Sequence, residues 1–372
     1  MATVQRKPLE ELATDWSQIA AKAAPNPFLT LLWHRTLHQL AADCAGLRAL
    51  TVDGPSAPRT LATLGHARIS RSRIFRPRVL LLNETGDSAL DRLTVEHNAP
   101  LAPAGQEGAA LAEMLAGLLQ EPDWDEFSTG WVEEQRWAEW SPQIESLPLT
   151  PWVMDRRPYF FRDLDPADGD TEHLLAGVSG NTRSQIRRSM RAYGGSAALS
   201  AQRATELEQA LAWFDEMVGL HQARWQARGK PGAFADPFMR DFHRCLIQAG
   251  VEDGYARMLR FEAEGRTIGY LYNLRVRDYE CNYQSGLVYE ADNKRKPGLV
   301  AHTLAMASAA QDGVRRYDFL MGESQYKRSL ASGQGAMIRL ALQRRRPLLW
   351  VERQLRRLRD RLQSNPSQGS ST

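Results

Sequence analysis

Lys294, Arg295 and Lys296 stand in a row, followed by Pro297, Gly298 and an Ala/Leu/Met-rich run from Leu299 to Gln311. Proline at the first helical position forfeits no intrahelical hydrogen bond. The run is therefore predicted to be a helix that starts at the proline and is stopped by Gly313. The leading N–H groups of such a helix have no partner within it and carry about half a positive charge, to which three basic side chains add. That combination suits phosphate groups; a solvated basic turn is the alternative reading of the same residues. Downstream, Arg315–Leu320 reads as a short strand, and Gly322, Glu323, Tyr326 and Lys327 follow it. A carboxylate, a phenol and an ammonium group so placed can accept a proton, donate one and stabilise negative charge. Asp318 is a second candidate base, and strand alternation turns it away from Tyr317 and Phe319. A structural ion pair is its alternative role.

These groups need a scaffold, and residues 254–289 supply it. Three apolar and aromatic runs, GYARMLRFEAEG, TIGYLYNLRV and YECNYQSGLVY, are separated by short polar turns and predict hairpin-connected strands. Backbone N–H groups around Tyr283, Gln284 and Ser285 on the third strand could hold a carbonyl or an extended donor arm. Upstream, 181–193 reads as a helix with Arg183, Arg187 and Arg191 along one face and Arg188 beside them, a stripe fit for a polyanion or for solvent. Residues 205–228 form a long helix that carries His221, Trp225 and Arg228 at its end, stopped by Gly229 and Pro231. Trp225 could shape a substrate pocket or belong to the core.

Composition narrows the classes. A 372-residue chain with 43% hydrophobic and 24% charged residues is an ordinary globular protein with room for two cores. A net charge of +3 is too small to point to nucleic acid. Cys44, Cys245 and Cys281 are widely spaced and form no thiolate metal motif, which fits a reducing, cytoplasmic setting. Neither a leader-like apolar core nor a run long enough to span a bilayer is visible. No metal is expected: His34 and His38 lie four apart on a helix, but no third ligand accompanies them.

The first half is less explicit. Residues 9–22 and 28–43 read as helices broken by Pro25-Asn26-Pro27. Strands follow at LRALTVDG and VLLLNETG, joined by the basic, exposed RISRSRIFRPR; then come a helix at 109–119 and a tryptophan-rich stretch at 124–140. Glu96, His97 and Asn98 are polar residues beside an apolar strand, placed either to reach a substrate across a domain boundary or simply to end the strand. The acidic segment 163–170 is the linker candidate. Past Lys327, 336–343 reads as an edge strand, since the bare Gly333/Gly335 pair is no dinucleotide fingerprint. Residues 347–363 form a basic amphipathic helix with Leu348, Val351, Leu355, Leu358 and Leu362 in its apolar stripe. The last residues, 364–372, read as a disordered tail.

The second half resembles the GNAT-type acyltransferases, and within them the cellulose-biosynthesis-type (CelD/BcsL-like) acetyltransferase branch. The residues that carry this are Tyr283-Gln284-Ser285-Gly286, Lys296-Pro297-Gly298, Tyr317-Asp318-Phe319-Leu320, Gly322 and Tyr326-Lys327. Upstream, Arg183…Ile186-Arg187-Arg188-Ser189 and His221…Trp225…Arg228-Gly229 also fit. The resemblance implies an α+β fold with two tandem GNAT-like domains: a degenerate one at 1–165 and an acetyltransferase domain at 166–346, followed by the basic helix. It implies transfer of an acetyl or longer acyl group from acyl-CoA to an amine or hydroxyl on a polysaccharide, sugar-nucleotide or lipid precursor. Lys327, Tyr326, Glu323 and Asp318 would be catalytic. Lys294, Arg295, Lys296, Gly298, Tyr283, Gln284 and Ser285 would hold the donor, and Arg183, Arg187, Arg188 and Trp225 the acceptor. The family's phosphate signature is reduced here to Gly298. The related Fem-type transferases use aminoacyl-tRNA, and a non-catalytic scaffold of the same fold is the third reading. The basic helix adds peripheral contact with an anionic membrane as an expectation.

Overall fold

The computed structural model describes residues 2–41, 46–55, 59–72 and 74–363, with 359–363 as backbone alone; Cys44 and the segment 364–372 lie outside them. The chain builds one element order twice. The first pass is β1 (Thr3–Lys7), α1 (Ala13–Ala20), α2 (Leu31–Leu40), β2 (Arg48–Asp53), β3 (Thr60–Arg68), β4 (Arg78–Leu82), α3 (Glu107–Leu118), β5 (Glu126–Glu133), α4 (Glu134–Ile144) and β6 (Leu149–Asp163). Two connecting helices follow, α5 (Thr171–Ala176) and α6 (Gly180–Ala192). The second pass is β7 (Leu199–Arg203), α7 (Leu207–Gln226), α8 (Pro237–Gly250), β8 (Ala256–Ala263), β9 (Arg266–Val276), β10 (Tyr279–Leu287), α9 (Pro297–Gln311), β11 (Arg316–Met321), α10 (Gln325–Leu330) and β12 (Gly333–Arg344). The chain then enters α11 (Pro347–Gln363). No helix among the described residues is long and apolar enough to cross a membrane.

All twelve strands form one sheet in the order β1-β2-β3-β4-β5-β12-β6-β11-β10-β9-β8-β7. Within each pass the first four strands are antiparallel and the fourth pairs in parallel with the fifth: Val79–Leu81 with Glu126–Ser128, and Tyr279–Cys281 with Arg316–Asp318. The sixth strands are exchanged. β6 pairs with β11, β12 pairs with β5, and β6 and β12 pair with each other over twelve matched residues. The expectation of an edge strand at 336–343 is therefore corrected, because β12 lies at the centre of the sheet. Its AMIRLAL run is buried on both faces apart from Ala336 and Arg339, the pattern of a covered strand rather than an alternating edge.

Local chemistry places the helices. Thr30 caps α2 through Trp33 N–H, and Ser179 caps α6 through Thr182 N–H. Asp236 caps α8 through Phe238 N–H, with Pro237 at its first position. α9 also begins at proline and is small-residue-rich and buried almost all round, as a helix clamped between sheet and neighbours must be. One core joins α2 and Leu93 and Val95 of the first half to α7, α8 and the inner faces of β8–β10. A second gathers α6 and α9 on the opposite face of the second half, and a third gathers α1, α3 and α4. The two passes thus share both a sheet and a core. Several elements carried too weak a pattern to be foreseen, among them β1, β3, β6, β7, α4 and α8.

Candidate functional site at the junction of the two passes

β11 is interrupted two residues past Asp318. Its pairing with β6 skips from Asp318↔Phe161 to Met321↔Tyr159, and Leu320 sits in the left-handed region at φ 60°. The Asp318 side chain helps to hold this bulge, since its Oδ1 accepts the Leu320 N–H at 2.6 Å. The carbonyls of Leu320 and Met321 accept from Lys327 Nζ at 3.1 and 2.6 Å, and Met321 N–H donates to Glu96 Oε2 at 2.7 Å. A buried ammonium, a buried carboxylate and an irregular strand thus meet at one point. The first pass carries the same bulge in β5, where Gly130 has φ 64° and the pairing skips from Ser128↔Ala341 to Trp131↔Arg339.

What differs between the passes is the occupant of the gap between the fourth and fifth strands. In the first pass it is plugged by Asn98, whose Nδ2 donates to Leu82 O at 2.7 Å and Thr129 O at 2.9 Å, bridging β4 and β5. Asn83 Nδ2 donates to Asn98 Oδ1 at 2.8 Å, and Asn98 N–H to Trp131 O at 2.8 Å. The segment that supplies this plug delivers its neighbours to the second pass. His97, itself at φ 51°, places Nδ1 2.6 Å from Glu133 Oε1 and Nε2 2.9 Å from Asp318 Oδ2. Each carboxylate has a further donor: Tyr159 Oη to Glu133 at 3.1 Å, and Tyr279 Oη to Asp318 Oδ2 at 2.9 Å.

An imidazole between two carboxylates is best satisfied when both nitrogens carry protons. Burial opposes the charge, but Asp318 and Glu133 outweigh it and raise His97 to about 10. The same contact outweighs burial at Glu133 and lowers it to about 2. Glu96 is raised to about 7 by burial, against the pull of His97 and Lys327. Burial lowers Lys327, against the Glu96 and Asp318 charges. A cavity of about 300 Å³ opens beside this chain of groups, walled by His97, Glu133, Tyr279 and Asp318 together with Glu107, Asp163 and Asp278 and the guanidinium groups of Arg136, Arg315 and Arg316.

The structure brings Asp318 and Lys327 together at the bulge. Asp318 faces away from Tyr317 and Phe319, which pack with α9. Tyr326 lies on that other face, stacked on His302 with ring centroids 4.8 Å apart, and burial raises its pKa. Glu323 is exposed and paired with Arg328. The basic turn lies at the far end of β10, where Gly298 abuts Leu287, roughly 20 Å along the strand from Cys281, the partner of Asp318. Lys294 is exposed there. Arg295 pairs with Glu290 and donates to Ala192 O at 3.1 Å, and Lys296 Nζ donates to Gln185 Oε1 at 2.9 Å. Turn and α6 are thus adjacent; Arg187 is paired with Glu172, whereas Arg183 and Arg188 have no acidic partner among the described residues. Tyr283 packs against Phe28, Trp33 and His243 and donates to Leu93 O at 2.5 Å. Gln284 and Ser285 continue β10 against β9. Trp225 donates to His221 Nε2 at 2.8 Å at the end of α7. His34 is buried against Thr63, and no group of side chains fit to hold a metal ion occurs among the described residues. Sequence reasoning left Glu96 and His97 open between a substrate contact and a strand end and missed Glu133; His97 meets Glu133 across 36 positions and Asp318 across 221.

The site sits in a GNAT-like fold built from two passes. Residues 180–328 match the family model described as an acetyltransferase (GNAT) domain. Among solved structures, FemX superposes with a TM-score of 0.57 at 10% identity, over 90% of this chain and 96% of FemX. A conserved protein of unknown function from Bacteroides thetaiotaomicron VPI-5482 gives 0.55 at 9%, over 92% of this chain and 100% of that one. The C-terminal domain (DUF2156) of a putative lysylphosphatidylglycerol synthetase from Agrobacterium fabrum gives 0.51 at 9%, over 90% and 92%. At such identities the likeness is one of fold. No curated protein matches the chain.

Proposed function

We propose that this protein transfers an acyl group from acyl-CoA to an amine or hydroxyl of a polysaccharide, sugar-nucleotide or lipid precursor, with the chemistry at the β11 bulge. The observation that carries this reading is the convergence of Lys327, Asp318 and the His97–Glu133 pair on one strand irregularity beside a cavity. Lys327 stabilises the negative charge that develops on the thioester oxygen. Asp318 receives the acceptor's proton, and His97 links it to Glu133 across the cavity wall. Tyr326 is held neutral by burial but lies on the opposite face of β11, so the proton taken up by Asp318 is the one returned to the leaving sulfur. The carboxylates and guanidinium groups lining the cavity suit an acceptor that carries an amine near an anionic group. The donor's phosphates would rest on the α9 start and Lys294, with Arg183 and Arg188 of α6 alongside. Its acyl arm would then follow the gap between β10 and β11. The two passes, 1–165 and 166–346, divide the work in this reading: the plugged first one supplies His97, Glu96 and Glu133, and the second holds the donor.

Calorimetric titration with acetyl-CoA and a longer acyl-CoA tests this. The expected result is saturable micromolar binding that is lost when Lys294, Arg295 and Lys296 are changed together to alanine. Absence of binding to both would overturn it. One observation favours a second reading: Arg295 and Lys296 already have protein partners. A donor without a CoA diphosphate, such as aminoacyl-tRNA, would then be held elsewhere, and aminoacyl transfer from charged tRNA without CoA binding would establish that alternative.

A further inference from the structure

α11 docks on the protein through the side opposite to its apolar stripe. Among its described side chains, Leu349, Glu352 and Arg353 are the buried ones. Glu352 pairs with Arg71, which is only 6% exposed and also binds Glu126, and Arg353 donates to the Gln343 side chain. Half a turn round the helix, Val351, Leu355 and Leu358 are 39%, 52% and 55% exposed, flanked by Trp350 at 57% and Leu348 at 52%. Neighbouring segments extend the same surface. Met154 of β6 lies against Arg71, and Ile74 is exposed in the turn that Arg71 begins. Among the described residues, the exposed large apolar side chains other than Val153 and Tyr289 belong to α11, to Met154 and to the turn at Ile74. Its charged members among the described side chains of α11 are of one sign. Arg345 and Arg357 are exposed, Arg356 stacks on Trp152 at 4.8 Å, and Glu352 is turned inward.

We propose that the outward side of α11, with Ile74 and Met154, docks on the surface of an anionic lipid bilayer. An apolar stripe bordered by arginines, with tryptophan at its margin, matches the depth profile of a bilayer interface: acyl chains, then carbonyls, then anionic phosphates. A second copy of this chain fits less well, because a two-fold contact would bring arginine rows of equal sign together with no carboxylate between them. The buried Arg71–Glu126–Glu352 contacts hold the helix as a fixed platform, so no folding on binding is required. This inference stands apart from the acyl-transfer reading and survives its failure.

The test is flotation of the full chain with neutral phosphatidylcholine vesicles and with vesicles in which roughly a third of the lipid is phosphatidylglycerol. The expected result is recovery with the anionic vesicles, declining as salt is raised. Leu355→Glu/Leu358→Glu should lower recovery about tenfold or more, and Arg345→Gln/Arg357→Gln about fivefold per site. All four side chains are exposed, so circular dichroism and the unfolding midpoint should not change. No association with anionic vesicles at low salt would overturn the proposal, as would association unaffected by the leucine changes. A concentration-dependent dimer abolished by those changes, with no vesicle binding, would assign the surface to a second copy instead.

Discussion

At the scale of single residues, His97 has the largest calculable effect. Replacing it by glutamine would remove the cation that bridges Glu133 and Asp318, leaving Glu133 with Arg136 alone. Loss of one partner from a buried pair costs about 3–5 kcal/mol, which urea unfolding of the variant should show. The pH dependence has a definite sign. His97 is raised from 6.5 to about 10 in the fold, so its contribution is complete below pH 6.5 and is lost as pH rises through 10. Glu133 is lowered from 4.5 to about 2, so its contribution is complete above pH 4.5 and is lost as pH falls through 2. Both act fully between those limits, and His97→Gln should flatten the alkaline loss. Lys327→Ala has a kinetic signature instead: kcat should fall roughly 10²–10³-fold while the donor Kd stays within about twofold. Unchanged turnover would remove Lys327 from the mechanism. Asp318 could be read as facing its strand's other side because alternation is local. His97 could not be read as its partner, since 221 positions separate the two and no local pattern encodes that meeting.

At the scale of elements, the two bulges are the informative features. The one in β5 is announced by Gly130, because a left-handed residue in a strand favours glycine. The one in β11 has Leu320 at the same place, and nothing in Tyr317-Asp318-Phe319-Leu320 flags it; Asp318 and the Lys327 ammonium hold it from outside. Gly130→Ala should cost about 1–2 kcal/mol from backbone conformation alone, and its added methyl would meet Asn98 Nδ2 at 2.6 Å. Asn98→Ala should cost about 3 kcal/mol by leaving the Leu82 and Thr129 carbonyls without donors. Thermal unfolding of both variants checks this, and a stable Asn98→Ala protein would show that the plug is dispensable. The helix start at Pro297, the hairpins of β8–β10 and the basic amphipathic helix were legible because caps, turns and periodicity are local. The central place of β12 was not, since a short apolar strand reads alike at an edge and in the middle of a sheet.

At the scale of the whole molecule, the shared core and exchanged strands predict one cooperative unfolding transition rather than two. Scanning calorimetry should give a single endotherm that also reports the loss of the His97 contacts. Separate expression of 1–165 and 166–372 should yield insoluble pieces, and co-expression a soluble complex, because each piece holds the strand that completes the other. Two soluble, separately folded halves would contradict this. The exchange also bears on how the chain is made. β6 leaves the ribosome about 170 residues before β12 does, which at cellular translation speed is on the order of 10–30 s. Through that interval β5 is paired only with β4 and β6 lacks both its native neighbours, and two nascent chains on one message could satisfy each other's edges before either is finished. Synthesis rate, rather than the stability of the finished protein, then governs the yield of monomer.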